Sequence, residues 1–166
     1  MLVTRYFLEL SVINKKLTTT KPPNNFSFEK QKNPDLNKFF YKTIGKDFFW
    51  RDRLSWQITE WEKYVSNPNL HTWVLKDQQS YVGFYEFVND ATKTMCDIIQ
   101  LGLLEEYRGQ KLGTQLLEHC LIQCLKFKPK KISVHTCSLD HENALKNYLK
   151  RGFQLTKKES IQYYPN

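Results

Sequence analysis

The segment that most restricts the fold runs from residue 97 to 136. It holds a strand-like run (DIIQLGLL), a Glu105-Glu106-Tyr107 link, a turn with two glycines (RGQKLGT, residues 108–114), a long helix and a second strand (KISVHT). From Gln110 onward, Leu112, Leu116, Leu117, Cys120, Leu121, Cys124 and Leu125 recur with the helical period until Pro129 stops it. A helix start offers unpaired N–H groups and the positive end of the helix dipole. Small residues there let an anion such as a pyrophosphate approach the backbone. Gly109 and Gly113 leave that room and Arg108 adds a charge-assisted contact. The glycines also fit a plainer role, Gly109 breaking the strand and Gly113 letting the helix pack on a sheet.

The flanking sequence supplies the other elements of an α/β chain of α+β type, read as one domain over residues 1–166. Residues 1–13 alternate as a first strand and 18–25 form a Pro-containing loop. A first helix runs from Asp35, with Pro34 in its first turn, to near Ile44, where Gly45 stops it. A second begins at Ser55, places Ile58, Trp61, Tyr64 and Val65 on one face, and ends at Asn67 and Pro68. Residues 71–75, 81–88 and 97–104 read as an antiparallel meander. Asp140 caps a last helix that Gly152 ends, and residues 153–164 are strand-like.

Composition narrows the function classes. With 40% hydrophobic and 14% aromatic residues the chain can bury a core. The net charge of +8 favours anionic partners, but the lysines are dispersed and no nucleic-acid motif accompanies them, so nucleic acid is not expected. Cys96, Cys120, Cys124 and Cys137 form no CxxC pair and no ligand spacing with the histidines, so neither a metal site nor a disulfide framework is expected. The opening residues are too short and too polar to cross a bilayer; with free thiols, this points to a cytoplasmic protein and no membrane partner.

The turn and the segment after it resemble the GNAT superfamily of N-acetyltransferases. That family's acetyl-CoA loop reads R/Q-x-x-G-x-G/A, matched at Arg108 and Gly113, with Lys111 at the middle glycine's place. Its closing segment is similar to Ala144, Tyr148, Gly152 and Phe153, with His141 where an Asn is usual. The resemblance implies a mixed, mostly antiparallel sheet of six to seven strands flanked by about four helices. It implies acetyl-CoA as co-substrate, with an amine-bearing acceptor, small molecule or peptide, that attacks the thioester directly. It further implies cofactor contacts from backbone N–H groups of Leu101, Leu103 and Leu104, from residues 108–114 (Arg108, Gly109, Gln110, Lys111, Leu112, Gly113, Thr114), and from His141 and Asn143. Tyr148 matches the residue that protonates the leaving thiolate.

A base and an acceptor site need candidates from this chain. Glu86 and Asp97 flank a hairpin, and a symmetric register centred between Ala91 and Thr92 places them opposite one another, where two carboxyls raise one pKa. The other reading is a pair of solvent-facing acids. His119 and His135 read as structural. Phe49, Trp50, Arg51 and Arg53 belong to an aromatic, basic stretch suited to holding a flat or acid-bearing amine; the same aromatics would also bury the first helices on the sheet. Lys111 and His141 leave open a second class, a GNAT-fold acyl-CoA-binding or protein-interaction module. Either a monomer or a homodimer is compatible with the sequence.

Overall fold

The computed structural model describes residues 1–13, 17 and 21–163. Seven strands, β1 (Leu2–Ser11), β2 (Phe26–Gln31), β3 (Leu70–Asp77), β4 (Ser80–Asp90), β5 (Met95–Leu103), β6 (Lys131–Cys137) and β7 (Gln154–Gln162), form one sheet in the order β2-β3-β4-β5-β6-β1-β7. Only β5 and β6 run parallel, so the sheet is mixed and mostly antiparallel, as expected. Four helices flank it: α1 (Pro34–Phe48), α2 (Ile58–Ser66), α3 (Leu112–Leu125) and α4 (Asn143–Lys150).

The apolar period of α3 becomes a core. Leu116, Leu117, Cys120, Leu121 and Cys124 are fully buried against Tyr85, Phe87, Cys96, Ile98, Ile132 and Val134 of the sheet. On the other face Phe40 and Ile44 of α1 pack on Val74 and Phe84. Burying side chains of this size stabilises the fold by about 1.5–3 kcal/mol each.

Several boundaries differ from the sequence expectation, each for a local reason. Gly45 does not stop α1. A Cβ at Gly45 would lie 2.6 Å from the Cβ of Trp50, so the glycine admits Trp50 against the helix, and α1 ends when Phe49 turns left-handed. The second helix starts at Ile58 rather than Ser55, because Gln57 and Glu60 form a capping box. Strand β2 was not anticipated; its signal is the alternation of Phe26 and Phe28 against Ser27 and Glu29. Within the expected 18–25 loop, residues 18–20 lie outside the described residues, as does Tyr164 at the end of the last strand.

The meander itself has a kink. Glu86 pairs with Gln100 but Phe87 pairs with Ile98, which leaves Ile99 as an extra residue on β5. Such a bulge bends its strand. At the same point β5 parts from β6: their pairing runs only from Met95 with Lys131 to Ile98 with Val134, although both strands continue. The bulge thus opens a wedge in the middle of the sheet. No helix among the described residues is long and apolar enough to cross a membrane.

Candidate active site

A cleft of about 730 Å³ occupies the wedge. Its floor is Ile98–Leu103 of β5 and Val134–Cys137 of β6; the turn before α3 and the inner face of α4 form one wall, and Phe48–Asp52 overhang it. The backbone of β5 faces it unpaired. Leu104 N–H donates to Val82 O at 2.8 Å, and the alternation of an antiparallel ladder then turns the N–H groups of Leu101 and Leu103 away from β4, toward the cleft. The N–H groups of Leu101 and Leu103 thus face the cleft, whereas that of Leu104 is spent on β4.

The turn is shaped as a cradle. Gly109 has φ +76°, and a Cβ there would meet nothing within 4 Å; at Gly113 it would meet only Leu103 Cδ1, at 3.8 Å. Helix packing does not account for Gly113, so the plainer reading loses ground to the cradle. Lys111, at the middle glycine's place, takes a left-handed conformation itself (φ 62°, ψ 12°) and caps α3. The backbone keeps a glycine-like path at a cost of about 1–2 kcal/mol, and the exposed lysine lines the cleft. Thr114 also lines it and reaches Asn147 Oδ1 of α4 at 3.5 Å. Gln110 and Leu112 do not: Gln110 donates to Glu106 O and Leu112 is core.

Arg108 is half engaged. Its Nε donates to Leu103 O at 3.2 Å, its Nη1 lies 3.0 Å from Asp47, and the guanidinium stacks over Phe48. Its Nη2 is buried without a partner while the residue lines the cleft. An orphaned cationic donor beside a cradle emptied of side chains fits a pyrophosphate-bearing ligand.

Helix α4 supplies Tyr148, buried, packed edge-on to Phe153 and lining the cleft. Burial first, then the Asp140 and Cys120 charges, push its phenol pKa above the usual range, so it is held protonated. His141 and Asn143 line the same wall, and His141 Nδ1 accepts from Asn143 N–H at 3.2 Å. Asp140 does not cap α4. Its Oδ2 accepts from Thr136 Oγ1 (2.6 Å) and Cys137 N–H (2.8 Å), and its Oδ1 from Trp50 Nε1 (3.4 Å), which ties the overhang to the loop after β6.

The two acids expected to face each other do not. The bulge pairs Asp97 with Val88 instead of Glu86. Neither lines the cleft. Glu86 is fully buried and accepts from Asn37 Nδ2 (2.7 Å), Tyr64 Oη (2.5 Å) and Arg53 Nη1 (3.3 Å). Arg53 accordingly leaves the expected acceptor group: its guanidinium is enclosed by Tyr64, Trp56, Tyr41 and Trp61 and lies off the cleft, whereas Phe49, Trp50 and Arg51 line it. Burial works against the Arg53 charge, but Glu86 and Tyr64 together outweigh it and hold the pKa above the ordinary value. Asp97 accepts from Ser133 Oγ at 2.7 Å; burial raises its pKa, opposed by Ser133 and by the nearby charge of His135. Sequence reasoning set aside His135, which the structure places exposed at the cleft, and missed Arg5 and Tyr163, which reach it only because β1 and β7 lie side by side.

Comparison with protein families matches residues 35–153 to the Acetyltransferase (GNAT) family. No curated protein matches by sequence. Among solved structures the fold is similar to a GCN5-related N-acetyltransferase from Sphaerobacter thermophilus (12% identity, TM-score 0.71, covering 95% of this chain and 50% of that one). It is similar also to a tandem GNAT protein from the clavulanic acid biosynthesis pathway (12%, 0.70, 93% and 51%). A third similar structure is an aminoglycoside acetyltransferase from an uncultured soil metagenomic sample (15%, 0.65, 86% and 97%). The chain spans about half the length of the first two. With the family match covering most of the chain and the cleft in the wedge between β5 and β6, the chain belongs to the GNAT family of acetyltransferases.

Proposed function

We propose that the chain transfers an acetyl group from acetyl-CoA to a primary amine of a small molecule or peptide in a ternary complex. The observation that carries this reading is the parting of β5 from β6 after Ile98, which turns the Leu101 and Leu103 N–H groups toward a cleft that also holds the cradle and the Tyr148 phenol. Arg108, Lys111 and the N–H groups at the start of α3 bind the pyrophosphate, and the β5 N–H groups hold the pantetheine arm and polarise the carbonyl. The neutral amine nitrogen forms a bond to the acyl carbon, the carbon–sulfur bond breaks, and the sulfur takes a proton from Tyr148. The proton lost by the amine passes to solvent by way of His135, with Asp97 and Ser133 behind it, and the Tyr148 phenolate regains a proton from solvent, so the step closes. Glu86 acts at a distance, by holding Arg53 and through it the overhang that carries Phe49, Trp50 and Arg51.

A second reading, a GNAT-fold module that binds acyl-CoA with weak or no turnover, is favoured by one observation: neither Glu86 nor Asp97 lines the cleft. Titration calorimetry with acetyl-CoA, followed by a thiol-release assay across an amine panel, separates the two. Tight binding without thiol release supports the module, and absence of acetyl-CoA binding overturns both.

A further inference from the structure

The five arginines of the chain fall into two groups. Arg53, Arg108 and Arg151 each meet a carboxylate, Glu86 at 3.3 Å, Asp47 at 3.0 Å and Glu118 at 2.9 Å. Arg5 and Arg51 meet none among the described residues, although both are partly buried and both line the cleft.

These two share one side of it. Arg5 is on β1, which the sheet order puts across β6 from β5, the strand that leads into the cradle. Arg51 joins that side through Tyr163, next to the end of β7: its guanidinium carbon is 5.4 Å from the Tyr163 ring centroid and 5.8 Å from that of Phe49. Both rings lie within cation–π reach but accept no hydrogen bond from the guanidinium, so its N–H donors stay available for the two parallel hydrogen bonds that a carboxylate takes.

The nearby acids do not neutralise the pair. Glu159 stands opposite Arg5 in the β1–β7 register, but its carboxylate is ion-paired with Lys157. Asp140 has both oxygens occupied by Thr136, Cys137 and Trp50. Asp52 alone remains on the overhang, one negative charge beside two positive ones.

We propose that the acceptor is an amine that also bears a carboxylate, an amino-acid-like small molecule, and that Arg5 and Arg51 read its carboxylate. This deepens the acetyl-transfer reading and rests on it. The partly desolvated Arg51, set beside Phe49 and Tyr163, fixes the acid group on the β1–β7 side, which leaves the amine to approach the thioester held along β5.

The test uses the full chain with acetyl-CoA and matched pairs of amino acids and their carboxamides, with thiol release giving kcat/KM and thermal shift in the presence of CoA giving binding. The acids are expected to exceed their amides by about tenfold or more in kcat/KM, the range of one charge-assisted pair, and to raise the melting temperature where the amides do not. In Arg5→Gln and Arg51→Gln the acid-to-amide ratio falls toward one, and Arg51→Lys retains part of it. Amides accepted as readily as acids, or variants that lower both members equally, overturn the carboxylate assignment while acetyl transfer stands. No acetyl-CoA binding at all removes the acetyl-transfer reading and this one together.

Discussion

Arg53 and Glu86 meet at 3.3 Å, and the carboxylate is wholly shut off from solvent. The pair fastens the end of the overhang to the sheet, with Tyr64 and Asn37 completing the carboxylate's hydrogen bonds. Removing one member of such a pair strands the other charge in a place where water does not reach it. Glu86→Ala is expected to lower the unfolding free energy by about 3–5 kcal/mol, measured by urea denaturation. Replacing both residues with apolar ones of similar volume is expected to cost much less. Equal losses from the single and double changes would show that charge pairing is not what holds the overhang.

Tyr148 is expected to separate chemistry from binding. A phenol kept protonated by burial remains a proton donor across the neutral range. Tyr148→Phe keeps the ring against Phe153 and deletes only the hydroxyl, so kcat should fall by about 10²-fold or more, with acetyl-CoA affinity from calorimetry nearly unchanged. A parallel loss of affinity would reassign the residue to packing.

The left-handed Lys111 yields opposite effects from one substitution. Lys111→Gly relieves the backbone and is expected to raise stability by about 1 kcal/mol, read from the melting temperature. The same change removes a cation beside the cradle, so acetyl-CoA should bind several-fold more weakly and with a shallower dependence on salt. A tighter complex would exclude Lys111 from the phosphate site.

His119 makes stability depend on pH. Its ring stacks on Phe28 at 3.7 Å between centroids, its Nδ1 pairs with the Tyr85 hydroxyl (2.8 Å) and its Nε2 with the Gln123 amide (3.3 Å). Burial, aided by Lys126, lowers its pKa from 6.5 to about 4. The unfolded chain therefore binds a proton that the folded chain refuses, and the contribution present above pH 6.5 is lost as the pH falls toward about 4. With the ring partly open to solvent screening, roughly 1–2 kcal/mol should disappear over that window, and His119→Gln should flatten the slope in chemical denaturation.

What could be read from the residues and what could not divides along sequence distance. Helix α3 was legible because Leu116, Leu117, Cys120, Leu121 and Cys124 state their face within fourteen residues. That the turn before α3 and Tyr148 would line one cleft was legible because their spacings are local. The bulge at Ile99 has no local signature, so a symmetric register set Glu86 against Asp97 when the sheet does otherwise. Arg51 and Arg53 look equivalent in the sequence; only the enclosing rings of Trp56, Trp61 and Tyr64 send one inward and leave the other to the cleft. Arg5 was out of reach because its place depends on strands made more than a hundred residues later.

Strand β1 lies between β6 and β7, with Leu2 opposite Gln162 and Leu10 opposite Ile132. Strand β1 is thus made more than a hundred residues before either of its neighbours, and it waits unpaired and β-prone until β6 and β7 have followed. Products truncated before β6 would carry that edge with no sheet to receive it, which makes stalled synthesis a condition under which this protein is expected to aggregate.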